Sequence, residues 1–316
     1  MRWLSILCFI LLLTSFAKAQ QVYILVLGTA QDGGYPQAGC SKSCCKKAYA
    51  GEEKKRLVTC LALIDPIEKK SWLFDATPDF GEQLRLLRLH LKDSTHLPSG
   101  IFLTHAHIGH YGGLMQLGKE VMGTKEIPVF AMPRMTAYLS TNGPWSQLVT
   151  QKNIILTTLE NNTFIQLTPR ISIQPIRVPH RDEYSETVGF HINYNNKKAL
   201  FIPDIDKWEK WDYPLKVYSD KDSVTALLKV LEQYDHVIID GTFYRNGELP
   251  GRDMRDIPHP FVEESMQLFQ SLSAAHKKRI CFIHFNHTNP LLWDMNAQKT
   301  VKQNGFCVAE QNTVLP

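Results

Sequence analysis

Short apolar runs punctuate the chain at regular intervals. The first, at 22–27, is β-branched and closes on Gly28. Others follow at 57–64, 72–74, 101–104, 154–157, 171–178, 188–194, 199–202, 236–239 and 280–283. Each has strand length and is bounded by turn residues or charges, which predicts β-strands. Between them, apolar positions three and four apart predict helices over 80–91, 113–122, 134–140, 223–233 and 261–276. In the last, Phe261, Met266, Phe269 and Leu272 make one stripe, read as core-facing. Strands interspersed with helices, without a linker, a low-complexity tract or a solenoid-period repeat, predict a single layered α/β domain over 20–316.

Residues 1–19 stand apart from this pattern. Arg2 precedes an apolar run from Trp3 to Phe16, and Ala17-Lys18-Ala19 supplies a small-x-small cleavage pattern. The run is shorter than the roughly 20 residues of a membrane-spanning helix. A cleavable signal peptide and a periplasmic or secreted protein are expected, with no membrane span in the mature chain. At 44% hydrophobic and 21% charged residues the composition is that of a globular protein, not a disordered one. A formal charge of +4 over 316 residues, without a basic patch interleaved with aromatics, argues against nucleic acid and leaves a small molecule as the expected substrate.

The twelve His and seven Cys carry the chemistry. His105-Ala106-His107-Ile108-Gly109-His110 directly follows the run at 101–104. His105 and His107, two apart, share one side of an extended segment, and His110 opens the next helix facing back. Imidazole suits zinc or iron, and an ion with an open position lowers the pKa of bound water to about 7. Further candidate donors also end apolar runs: His180, Asp204, Asp240, His284 and Asp75. For each Asp taken alone, a helix cap or turn role is an alternative. Cys40, Cys44 and Cys45 place three thiols within six residues, the stock of a structural zinc site with one added imidazole, or of a local disulfide. Cys60 and Cys281 read as small buried hydrophobes. Cys307 gives no signal.

The histidine motif resembles that of the metallo-β-lactamase fold superfamily, His-x-His-x-Asp-His followed downstream by a His, an Asp and a His. Within it the chain is most similar to the pyrroloquinoline-quinone biosynthesis protein B (PqqB) group. The resemblance rests on Val26-Leu27-Gly28-Thr29-Ala30 with Gly33-Gly34-Tyr35-Pro36-Gln37, on the stretch from Val178-Pro179-His180-Arg181 to Gly189-Phe190, and on Phe282-Ile283-His284-Phe285-Asn286 with Thr288-Asn289-Pro290. It implies a four-layer αββα sandwich. It also implies one ion held by His105, His107 and His180 and a second held by His110 and His284, with Asp204 bridging. Asp75 and Asp240 would orient ligand histidines. One or two Zn2+ would serve, with Mn2+ or Fe2+ as alternatives, and His287 would complete a structural Zn2+ site with Cys40, Cys44 and Cys45.

Two departures from the pattern matter. Gly109 stands where the motif has Asp, which predicts a second site one carboxylate short. The PqqB group often has a degraded His pair, whereas this chain keeps His105 and His107, which points to a substrate of its own. The expected activity is a metal-dependent hydrolase acting on an ester, amide or phosphodiester, with His259 as proton donor and Arg181, Asp182, Glu183 and Tyr184 near the substrate. The alternatives are an Fe-dependent oxidative step in quinone-cofactor (PQQ) biosynthesis and a non-catalytic metal- or cofactor-binding protein.

Overall fold

Strands that are apolar on consecutive positions bury both faces, which requires a layer on each side. The computed structural model describes residues 21–218 and 222–316; the expected signal segment lies outside them. The first sheet holds β1 (Tyr23–Gly28), β2 (Cys60–Asp65), β3 (Lys70–Phe74), β4 (Gly100–Phe102), β5 (Ile127–Ala131) and β6 (Ile154–Thr158) side by side in chain order. The second holds β7 (Ile165–Thr168), β8 (Ile171–Arg177), β9 (Val188–Tyr194), β10 (Lys197–Ile202), β11 (His236–Asp240), β12 (Ile280–Ile283) and β13 (Cys307–Val308). The last strand, β14 (Val314–Leu315), returns to the first sheet beside β1.

Leu61, Leu63, Phe74 and Phe102 of the first sheet meet Phe190, Phe201, Ile238 and Ile283 of the second in one buried cluster. The outer face of the first sheet is covered by the helices Phe80–Leu91 and Pro133–Thr141, through Phe80, Leu84, Leu87, Met135 and Leu139. The outer face of the second is covered by Ser223–Glu232 and Val262–Leu268, through Leu227, Val230, Leu231, Val262 and Met266. The layer order is therefore αββα. Among the described residues no helix is long and apolar enough to cross a membrane.

Strand direction positions the site. β3 to β6 run parallel, and β1, antiparallel to β2 as β2 is to β3, shares their sense. In the second sheet β10 to β13 are parallel, and two antiparallel steps give β8 the same sense. Just beyond β1, Ala30 bridges both Val58 and Phe285, so this segment ties the two sheets together.

Several elements differ from the periodicity. β5 contains Pro128, which interrupts the strand signal, yet it pairs between β4 and β6. The stretch 261–276 breaks into Val262–Leu268 and Ala274–Lys277, because the Ser273 hydroxyl accepts from the His276 backbone N–H and caps a new helix. The stretch 113–122 is instead a 3-10 helix, Gly112–Leu117. Gly113 allows that tight path: a Cβ there would come within 2.0 Å of the Thr77 carbonyl oxygen. Cys281 is not a solitary buried hydrophobe. It lies opposite Cys307 across β12 and β13 and forms a disulfide with it.

On β9, His191 is enclosed against Tyr234, whose hydroxyl meets its ring. Burial, assisted by the Lys198 charge, pushes its pKa from 6.5 down to about 3. Between those values the unfolded chain binds a proton that the native one refuses, so stability falls on acidification through this window. Replacing His191 by Gln should flatten that part of the stability–pH curve, as read by urea unfolding from pH 7 to pH 4.

Candidate metal centre

The common strand direction delivers the polar residues after β3, β4, β8, β10, β11 and β12 to one edge of the sandwich. Asp75 follows β3, and His105 follows β4 after two residues. His180 lies just past β8, Asp204 just past β10, and His284 just past β12, while Asp240 ends β11. Asp75 and His284 adopt positive backbone φ of 71° and 67°. These are sparsely populated conformations for such residues, and the packing around them enforces them.

Two donor clusters form around Asp204. In one, His105 Nε2 lies 2.8 Å from His107 Nδ1, and His180 joins them with its donor atom within 4.8 Å. In the other, His110 Nε2 and His284 Nε2 lie 3.1 and 3.2 Å from Asp204 Oδ2. The second Asp204 oxygen faces His180 Nε2 at 3.8 Å, so the carboxylate stands between the clusters. His110 Nε2, His284 Nε2, Asp204 Oδ2 and both ring nitrogens of His180 are buried with no hydrogen-bond partner. Leaving such groups unpaired costs about 1–3 kcal/mol each. Their convergence, as mixed imidazole and carboxylate donors, fits divalent zinc, manganese or iron.

Outer partners hold the rings. His110 Nδ1 bonds Asp75 Oδ2 at 2.7 Å, and Asp75 Oδ1 accepts the Thr104 N–H at 2.8 Å. Thr242 meets His284 Nδ1 at 2.9 Å, Thr104 meets His105 Nδ1 at 3.0 Å, and Glu183 meets His107 Nε2 at 3.1 Å. Asp240 Oδ2 bonds His259 Nδ1 at 2.7 Å. The Asp240 carboxylate therefore orients His259, whose ring lies 5.2 Å from that of His180.

Burial, then the neighbouring His110 charge, holds His105 well below the usual imidazole range. Burial likewise takes His180 to about 4. Both are neutral at pH 7, as ligation demands. At Asp204 burial works against ionisation, yet His284 and His110 hold the carboxyl well below its ordinary value. At His259 burial opposes the charged form, but Asp240 and Asp204 outweigh it and the pKa rises.

The second cluster is not short of a carboxylate, contrary to what Gly109 implies. Asp32, in the turn after β1, puts its Oδ1 3.1 Å from His110 Nε2 and 3.7 Å from His284 Nε2. Asp32 follows a strand of the same sense as the other ligand strands, but beside Gly33-Gly34 its residue type is also that of an ordinary turn, so its position carries no ligand signal in the sequence.

Cys40, Cys44, Cys45 and His287 gather with donor atoms within 4.8 Å of one another. The three thiols are free, which removes the local disulfide. Cys40 and Cys44 sulfurs stand 3.8 Å apart. A tetrahedron with Zn–S bonds of about 2.3 Å has an edge of about 3.8 Å. His287 Nδ1 is buried and unpartnered.

On the loop after His180, Arg181 and Tyr184 are exposed. Tyr184 packs against Tyr138 with ring centroids 5.4 Å apart. Asp182 is committed within its own loop, accepting from the Thr187 hydroxyl at 2.9 Å and facing Arg177 at 3.3 Å.

Asp75 holds the ring of His110 directly and reaches that of His105 through the Thr104 hydroxyl. Replacing it by Asn should weaken metal retention about 10–100-fold, measured by competition with a chromophoric chelator.

The sequence profile of the beta-lactamase superfamily domain matches residues 71–285. The chain is 27% identical over 315 residues to coenzyme PQQ synthesis protein B of Klebsiella pneumoniae (strain 342), covering 91% of this chain and 96% of that one. It is 25% identical over 312 residues to the protein of the same name from Methylorubrum extorquens (strain PA1), covering 93% and 99%. The fold matches that of Zn2+-bound PqqB from Methylobacterium extorquens with a TM-score of 0.75 at 21% identity, over 93% of this chain and 99% of that one. It matches a diphosphatase of the PhnP family with a TM-score of 0.64 at 20% identity, over 93% and 96%. With two packed sheets, a histidine-lined edge and a profile match over most of its length, the chain belongs to the beta-lactamase superfamily, with a metallo-β-lactamase fold and a PqqB-like sequence.

Proposed function

We propose that the protein is an exported metal-dependent hydrolase of a small ester, amide or phosphodiester. The observation that carries this reading is the set of buried, unpartnered nitrogen and oxygen donors converging on Asp204. His105, His107 and His180 would hold one ion. His110 and His284 would hold a second, with Asp204 between them. Ions bound there supply Lewis acidity and an activated water.

The chain's own groups supply the rest. Asp240 occupies Nδ1 of His259 and leaves Nε2 as the proton site, which suits the ring to protonate a departing oxygen or nitrogen. Arg181 and Tyr184, exposed near His180 in the chain, would meet a polar substrate. The PhnP-family diphosphatase among the fold neighbours supports hydrolysis, and the Cys281–Cys307 disulfide supports export to an oxidising compartment. The names of the curated relatives favour a second reading, a step in PQQ synthesis, in which the same donors would hold Fe2+.

Turnover of a chromogenic phosphodiester should proceed equally with and without oxygen, disappear on chelation and return with zinc. Strict dependence on oxygen would transfer the case to the oxidative reading. Changing His259 to Gln should lower kcat by about 10²–10⁴-fold for an alkyl leaving group. With a nitrophenolate, which needs little protonation, the loss should be much smaller.

A further inference from the structure

We infer that Asp32 is a metal ligand of the second donor cluster, delivered from the loop after β1 into the space that Gly109 leaves open. Gly109 is what lets this segment approach, since no Cβ fits at 109 with the backbone of residue 32 in this place. This rests on the metal-centre reading given above and adds a ligand that the His-x-His-x-Asp-His pattern does not contain.

Steric complementarity is the first argument. A Cβ built on Gly109 would fall 2.4 Å from both the Cα and the Oδ1 of Asp32, and 2.6 Å from its Cβ. No side chain fits at 109 while Asp32 keeps its place, and an aspartate there would reach into the volume that the Asp32 carboxylate fills. The second argument is donor geometry. Asp32 Oδ1 is a buried atom without a hydrogen-bond partner, although it lies 3.1 Å from His110 Nε2 and 3.7 Å from His284 Nε2. Atoms that close, without hydrogen-bond alignment, are arranged around a common point rather than toward each other.

Charge supplies the third argument. His110 already has Asp75 on Nδ1 and Asp204 beside Nε2, so an imidazolium needs no further counter-ion. Asp32, whose side chain is one third exposed, turns its buried Oδ1 to the same ring, and the added negative charge at that atom is favoured by a cation there. Finally, the backbone carrying Asp32 is clamped. Gln31 N–H donates to the Phe285 carbonyl at 2.8 Å, Phe285 N–H donates to Thr29 at 2.9 Å, and Gly34 N–H closes the turn onto Gln31 at 2.7 Å. Asp32 is thereby registered against His284, the residue before Phe285.

The test is zinc content per chain after reconstitution and desalting, with near-UV circular dichroism and thermal melting to confirm folding. Both Asp32→Ala and the near-isosteric Asp32→Asn should hold one zinc fewer than the wild type. Gly109→Asp alone should also lose that ion, because two carboxylates cannot share the space. A folded Asp32→Asn protein that keeps the full zinc content would overturn the assignment, as would a wild type that binds zinc only at the cysteine cluster. A wild type with its full zinc content but no hydrolytic activity would remove the hydrolase reading and leave the role of Asp32 standing.

Discussion

A single buried carboxylate sets the terms for the functional edge. Asp204 lies between imidazoles from both halves of the sandwich, with one oxygen toward His110 and His284 and the other toward His180. Isolated in a low-dielectric interior, such a charge would be strongly unfavourable. It is tolerated because positive charge, carried by protons or by ions, is concentrated around it. The same requirement explains why Asp75 and Asp240 are buried as well, each bonded to a histidine ring.

This arrangement depends on strand polarity. The ligand-bearing strands of both sheets share one direction, so their first polar residues after an apolar run meet at one edge. The inter-sheet aromatics Phe74, Phe102, Phe190 and Phe201 lie at or near the ends of these strands and fix the spacing between the two halves. Left-handed backbone at Asp75 and His284 turns the chain sharply where the strand stops. The donor geometry is therefore built into the rigid part of the molecule, as a preorganised site requires.

The loop between β1 and β2 supplies donors to two clusters. Within a short stretch it carries Asp32 to the histidine-lined edge and Cys40, Cys44 and Cys45 to the cluster completed by His287. The segment that follows β12 answers it with His284 and His287. Two metal-binding constellations are thus shared between the same two pieces of backbone, which are joined directly by the hydrogen bonds between Thr29, Gln31 and Phe285.

Local pattern alone determined much of this protein. Continuous apolar runs specified strands buried on both faces, and the placement of His105, His107, His110, His180, Asp204 and His284 after such runs specified a metal edge. Those signals are local, since hydrophobic period and residue type act within a few positions. Other features were settled only by tertiary contact. Pro128 hid β5, and the two-residue strands β13 and β14 have too little sequence to signal anything. Cys281 found Cys307 because β12 and β13 align in register. Asp32 was illegible for the same reason: a turn aspartate beside two glycines becomes a candidate ligand only when the sheets close and bring it over Gly109. Period and residue type are properties of a segment, whereas shared space belongs only to the folded chain.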